Sequence, residues 1–153
     1  MPRGKQSGIR WALRYKNNHQ SDIHLLIRLG KYIRNKWGLK FRREWYVGFN
    51  KVDGRVERIR REVTHREAEE YWWRNPDLLC IHERKGLIII EIDGAIHDRK
   101  LAKTEQRNEQ YKKANVSLII INLRDIKTRG ITIEEDLDWK IMKLLHGCPI
   151  GTG

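Results

Sequence analysis

Residues 76–97 read PDLLCIHERKGLIIIEIDGAIH, and this stretch decides the fold and the candidate chemistry. Two short apolar runs, 77–83 and 87–93, flank Arg84, Lys85 and Gly86. A three-residue connection with glycine last, in the left-handed position, joins two strands as a hairpin. Side chains alternate along a strand, so Glu91 and Asp93 at the end of the second run share one face. Pairing Glu83 with Leu87 sets Asp77 opposite Asp93 and leaves Glu91 as a diagonal neighbour. Three carboxylates then converge at one end of the hairpin. Crowded acids repel one another, and a hard divalent cation removes that cost; all-oxygen ligands suit Mg2+ or Mn2+. Asp77, Glu91 and Asp93 are therefore the expected metal ligands. His97 follows four residues after Asp93, across Gly94, where an imidazole can take a proton from water. Lys103 and Arg107 lie one helical turn apart downstream, and a cation there would stabilise charge on a phosphate.

Outward from the hairpin, a helix is expected over 101–115, then a strongly apolar strand ending in SLIIIN at 122. Strand, helix and strand make a crossover unit, so this last strand lies parallel within a mixed sheet. A closing helix spans 132–146, with Ile133, Leu137, Ile141 and Leu144 or Leu145 as its apolar stripe. Upstream, Ser21 opens a helix whose stripe is Leu25, Leu26, Leu29, Ile33 and Trp37, and Gly38 ends it. Residues 41–50 read as one aromatic-rich strand. Asp53 and Gly54 signal a hairpin, so 55–63 returns as a second strand, although VERIRREV is also compatible with a helix. Thr64 with Glu67 is a capping box for a short helix reaching about Trp73, broken by Asn75 and Pro76. The fold class is α/β, with a mixed central sheet flanked by helices.

The chain of 153 residues is one ordinary domain, large enough to bury a core without disulfides or a structural metal. Two cysteines, Cys80 and Cys148, cannot build a framework, and Cys80 sits in an apolar run as a small core residue. Apolar runs such as 87–90 stop at four residues, far from the roughly 20 of a membrane helix. The start, MPRGK, has no apolar stretch behind it, so no secretory leader is expected and the setting reads as cytoplasmic.

Net charge is +12 and uneven. Residues 1–75 hold 19 bases and 8 acids, whereas 76–153 hold 13 and 12. A basic front half expects a polyanionic partner, because each neutralised phosphate releases counterions. Residues 1–20 form a basic arm, with Arg3, Lys5, Arg10, Arg14 and Lys16 around Trp11 and Tyr15. Such an arm can dock on nucleic acid or fold back through Trp11. Arg42, Arg43, Arg58, Arg60 and Arg61 are the further expected nucleic-acid contacts.

These residues resemble a known family. Pro76-Asp77, followed after thirteen residues by Glu91-Ile92-Asp93, resembles the PD-(D/E)xK nuclease core, except that Asp93 stands where the family usually has lysine. EIDGAIH with TEQRN downstream, and WGLKFRRE at 37–44, is similar to the branch akin to very-short-patch repair endonucleases, and the compact basic chain also looks like intron-encoded homing endonucleases on that fold. The likeness covers about 21–123 and is interrupted by 50–75, which reads as a DNA-contacting insertion. It implies a restriction-endonuclease-like fold and Mg2+-dependent cleavage of double-stranded DNA. Asp77, Glu91 and Asp93 would be the metal-side acids, His97 the base and Arg107 the helix arginine. Asp22 matches the branch's first-helix acid only loosely, and Thr104 stands where aspartate is common. One acidic cluster cuts one strand, so a homodimer or higher homo-oligomer is expected, with the final helix or Tyr71-Trp72-Trp73 as contact or as core. The alternatives are a structure-specific nuclease, such as a Holliday junction resolvase, and a non-catalytic nucleic-acid-binding module.

Overall fold

A computed structural model describes residues 20–94 and 101–147. Helix α1 (Gln20–Trp37) leads to β1 (Lys40–Arg42), β2 (Tyr46–Asn50) and β3 (Val56–Arg60). Then come α2 (His65–Glu70), β4 (Tyr71–Arg74), β5 (Leu78–His82) and β6 (Gly86–Asp93). The chain closes with α3 (Leu101–Lys113), β7 (Ser117–Asn122), α4 (Leu123–Arg129) and α5 (Ile133–His146). Two sheets form among the described residues: a four-stranded one ordered β1-β5-β6-β7 and a three-stranded one ordered β3-β2-β4. In the first, β6 and β7 are parallel and the other neighbours antiparallel, so the sheet is mixed, as the crossover requires.

The first sheet is covered on both faces, which explains its near-continuous apolar strands. Leu78, Cys80, Ile88, Ile90, Ile119 and Ile121 face one core with Leu26, Leu29 and Ile33 of α1 and Leu137 and Ile141 of α5. Leu79 and Ile89 face a second core with Val47 and Phe49 of β2 and Tyr111 of α3. The two cores are separate because strand neighbours point to opposite faces. Cys80 is fully buried, and burial pushes its thiol up to about 12, so it is inert packing.

Four expectations change. Residues 41–50 are two strands in different sheets: Glu44 takes a left-handed φ of 66°, and the chain turns between β1 and β2 there. The capping box forms at Thr64 and Glu67, yet the helix stops at Glu70, because Tyr71 is extended and its N–H closes onto the Glu67 carbonyl. Residues 71–74 instead add a strand to β2. Trp73 lies across Gly48, where a Cβ would come within 2.9 Å of the indole, so only glycine admits this strand packing. Asn122 ends β7 and also caps α4, a helix absent from the expectation, which finishes at left-handed Gly130. Finally, His82 pairs with Gly86 and Leu78 with Ile90, so the hairpin is set two residues from the expected register. The His82 ring nitrogen Nδ1 accepts the Arg84 and Lys85 amides and moves the turn toward the N-terminal strand.

A polar clasp ties α1 to α5. The Asp138 carboxylate accepts from the Tyr32 hydroxyl at 2.6 Å, from Lys36 Nζ at 2.6 Å and from Trp37 Nε1 at 2.8 Å. Burial pushes its pKa up, but the Lys36, Tyr32 and Trp37 hydrogen bonds outweigh that and hold it below the usual carboxylate value. A lowered folded pKa contributes stability above the unfolded value, near 3.9, and that contribution is lost as pH falls through the folded value. Asp138→Asn is therefore expected to lower the urea midpoint at neutral pH, with the gap to wild type closing under strong acid. A gap independent of pH would remove the carboxylate's charge from the account.

Candidate active site

The lead-in to β5 and the carboxyl end of β6 meet under α3. Continuing the hairpin register from Leu78 and Ile90 sets Asp77 opposite Glu91, not Asp93. A shift of two residues preserves parity, so the acids keep a common face despite the changed partner. The Asp77 N–H donates to Glu91 Oε1 at 3.1 Å, and Asp77 Oδ2 accepts the Ile92 N–H at 2.7 Å. Proline at 76 has no N–H to carry the ladder further, and the Asp77 side chain takes up the exposed amide. Pro76-Asp77 thus ends the strand pairing and holds a carboxylate beside Glu91.

Helix α3 supplies the other half. Tyr111, fully buried, donates its hydroxyl to Glu91 Oε2 at 2.8 Å. Burial, then the Glu91 charge, raise the Tyr111 pKa, so this hydroxyl stays protonated and acts as a donor. One turn earlier, Arg107 sets Nη2 at 3.3 Å from both Asp93 carboxylate oxygens and Nε at 3.8 Å from Glu91 Oε2. Asn108 accepts from the same guanidinium at 3.0 and 3.1 Å. Glu91 and Asp93 are both buried, and Arg107 exposes only 17% of its side chain. With Asp77 the group brings three carboxylates to one face beside the Arg107 guanidinium, in a low-dielectric setting.

The oxygen donors suit a hard divalent cation, but among the described residues no group of three His, Cys, Asp or Glu side chains is placed to hold one ion. The fit therefore runs through Asp77 and Glu91, with Asp93 matched by Arg107. Lys103, expected beside Arg107, is exposed. His97, Cys148 and the arm with Arg3, Lys5, Arg10, Arg14 and Lys16 lie outside the described residues, and the Asp22 side chain does too.

The remaining basic residues divide between two surfaces. Arg42 stacks on Trp45 at 5.6 Å, while its neighbour Arg43 pairs with Glu44. On the second sheet, register puts Arg58 and Arg60 of β3 on the same face as Tyr71 and Trp73 of β4. Arg58 lies 5.2 Å over the Tyr71 ring, Arg60 pairs with Glu67 at 3.0 Å, and Arg61 is exposed.

Sequence reasoning missed Tyr111, Arg74 and Gln110. Tyr111 follows Arg107 by four positions, the spacing of neighbours on one helix face, and that was the available signal. Arg74 carried none, since its segment read as the end of a helix; on β4 its Nε donates to Gln110 Oε1 of α3 at 2.7 Å. No helix among the described residues is long and apolar enough to cross a membrane. A comparison with family models, with curated proteins and with solved structures finds no match to this chain.

Proposed function

We propose that the protein is a metal-dependent endonuclease that hydrolyses phosphodiester bonds of double-stranded DNA, on a restriction-endonuclease-like core. The observation that carries this reading is Asp77 held against Glu91 by two hydrogen bonds through the hairpin backbone, with Asp93 and Arg107 beside them on one face. Asp77 and Glu91 would hold Mg2+ or Mn2+. Such a cation, when bound, lowers the pKa of water and offsets charge on the phosphate. Tyr111 fixes the orientation of Glu91, and Arg107 keeps Asp93 from repelling it. His97 remains the proposed proton acceptor on sequence grounds.

The test is supercoiled plasmid incubated with and without Mg2+ or Mn2+, followed by end sequencing of any product. Cleavage requiring the metal supports the reading; intact plasmid under every condition overturns it. Nicked product indicates one working site. Linear product indicates two copies acting together, for which the exposed Trp139 and Met142 of α5 are the proposed contact. A second reading, a binding module without hydrolysis, draws on the Arg107–Asp93 pairing, which leaves one acid matched by a base rather than open to a cation. It expects duplex binding and no cleavage.

The basic arm is assigned to the duplex backbone. Deleting residues 1–19 removes five bases and no acid. The logarithmic salt dependence of duplex affinity is expected to flatten by up to about 0.9 for each phosphate that the arm no longer neutralises, at most about 4.5 in all. An unchanged slope and affinity would take the arm off the DNA.

A further inference from the structure

We infer that Arg74, not Arg107, is the cation that meets the phosphate at this site, and that Gln110 aims it; the inference rests on the nucleic-acid-cleaving reading above. Arg107 is already engaged. Its Nη2 faces both Asp93 oxygens at 3.3 Å, its Nε faces Glu91, and Asn108 accepts from it twice. Turning it toward a ligand would leave two buried carboxylates without their base, which is strongly unfavourable.

Arg74 is in the opposite condition. It ends β4, three residues before Asp77 in the chain. It is half-buried, and its one side-chain hydrogen bond among the described residues is Nε to Gln110 Oε1 at 2.7 Å. Among those residues it has no ion pair. An uncharged amide therefore fixes the plane of the guanidinium without neutralising it, and both Nη groups remain for an anion. That fork matches two oxygens of a phosphate. Gln110 precedes Tyr111, whose hydroxyl binds Glu91, so one stretch of α3 orients both the cation and the acid. Trp72, two residues earlier and so on the same face of β4, is 51% exposed, so at this edge strand the face reaches solvent, although Val47 and Phe49 beside it on β2 are buried.

During hydrolysis the water oxygen bonds to phosphorus, one P–O ester bond breaks, and the leaving oxygen takes a proton. Negative charge on the non-bridging oxygens peaks between those events. A pre-aimed guanidinium stabilises that charge more than it stabilises the bound duplex.

The test compares wild type, Arg74→Gln, Arg74→Lys and Gln110→Ala, all full-length. Readouts are the single-turnover plasmid cleavage rate in Mg2+ and the salt dependence of affinity for a fluorescent random-sequence duplex. Arg74→Gln is expected to slow cleavage about 100-fold and to lower the salt slope by about 0.9, the share of one neutralised phosphate. Arg74→Lys should recover the slope and only part of the rate, and Gln110→Ala should lose rate with the slope retained. Thermal midpoints check folding; should Arg74→Gln fail to fold, the lysine and Gln110 variants carry the test. Arg74→Gln cleaving within twofold of wild type, at an unchanged slope, overturns the inference and leaves the nuclease reading standing. If wild type itself never cleaves, the nuclease reading fails, and the slope alone decides whether Arg74 touches phosphate.

Discussion

Asp77→Asn and Glu91→Gln are each expected to cut plasmid cleavage by about 10³-fold or more while changing duplex affinity by less than about threefold. Both substitutions keep the shape of the side chain. An asparagine carbonyl can still accept the Ile92 amide, and a glutamine carbonyl can still accept the Tyr111 hydroxyl, while the glutamine NH2 then faces the Asp77 N–H and that one hydrogen bond is lost. What disappears is the negative charge that would hold a divalent cation. The variants should therefore remain folded, bind duplex through the basic surfaces, and fail at hydrolysis. Calorimetric titration with Mn2+ gives a readout independent of activity: wild type should release heat to a saturable site, and both variants should lose it. Asp93→Asn is expected to do less, because Asp93 is already matched by Arg107. A Glu91→Gln protein that cleaves at the wild-type rate would remove Glu91 from the chemistry and leave its bond to Tyr111 as packing.

The parts of the molecule readable from the chain are those governed by local pattern. Alternation and the glycine turn located β5 and β6, and the apolar run after a helix located parallel β7. The common face of Asp77, Glu91 and Asp93 survived a register error because the error was even; an odd slip would have sent Asp77 to the opposite core. The parts that escaped depend on tertiary partners. YWWR after Glu70 continues a helical run as readily as it starts a strand, and it is a strand because β2 offers an edge and Gly48 leaves room for Trp73. Nothing in FRREWYVGFN marks Glu44 as left-handed, a conformation few non-glycine residues adopt. Asn122 and Gly130 did frame α4 with recognisable caps, but the strand before it absorbed the first of them. The same division runs through the site. The acids announce themselves by spacing, whereas Arg74 and Tyr111 matter only once the second sheet and α3 close over the same face.

That closure makes Phe49→Ala the most destabilising single change to expect in the second core. Phe49 is fully buried between the two sheets with Val47, Leu79, Ile89 and Tyr111, and its ring lies 5.9 Å from the Tyr111 ring in a tilted contact. Truncating a buried phenylalanine costs about 3–5 kcal/mol, from forfeited transfer energy and from the cavity left behind. Against a typical total of about 5–15 kcal/mol, that is a large share. Urea denaturation should show it as a lower midpoint, with little change expected for Val52→Ala at the exposed hairpin tip, within about 0.5 kcal/mol. The consequence reaches the site as well. Tyr111 would lose one wall of its packing, and with it the fixed direction of the hydroxyl that holds Glu91. Under conditions where the variant is still fully folded, its cleavage rate should fall with affinity retained. If Phe49→Ala costs less than about 1 kcal/mol, the second sheet is an appendage folding apart from the four-stranded sheet, and the coupling of Arg74 and Tyr111 to the acids through it must be abandoned.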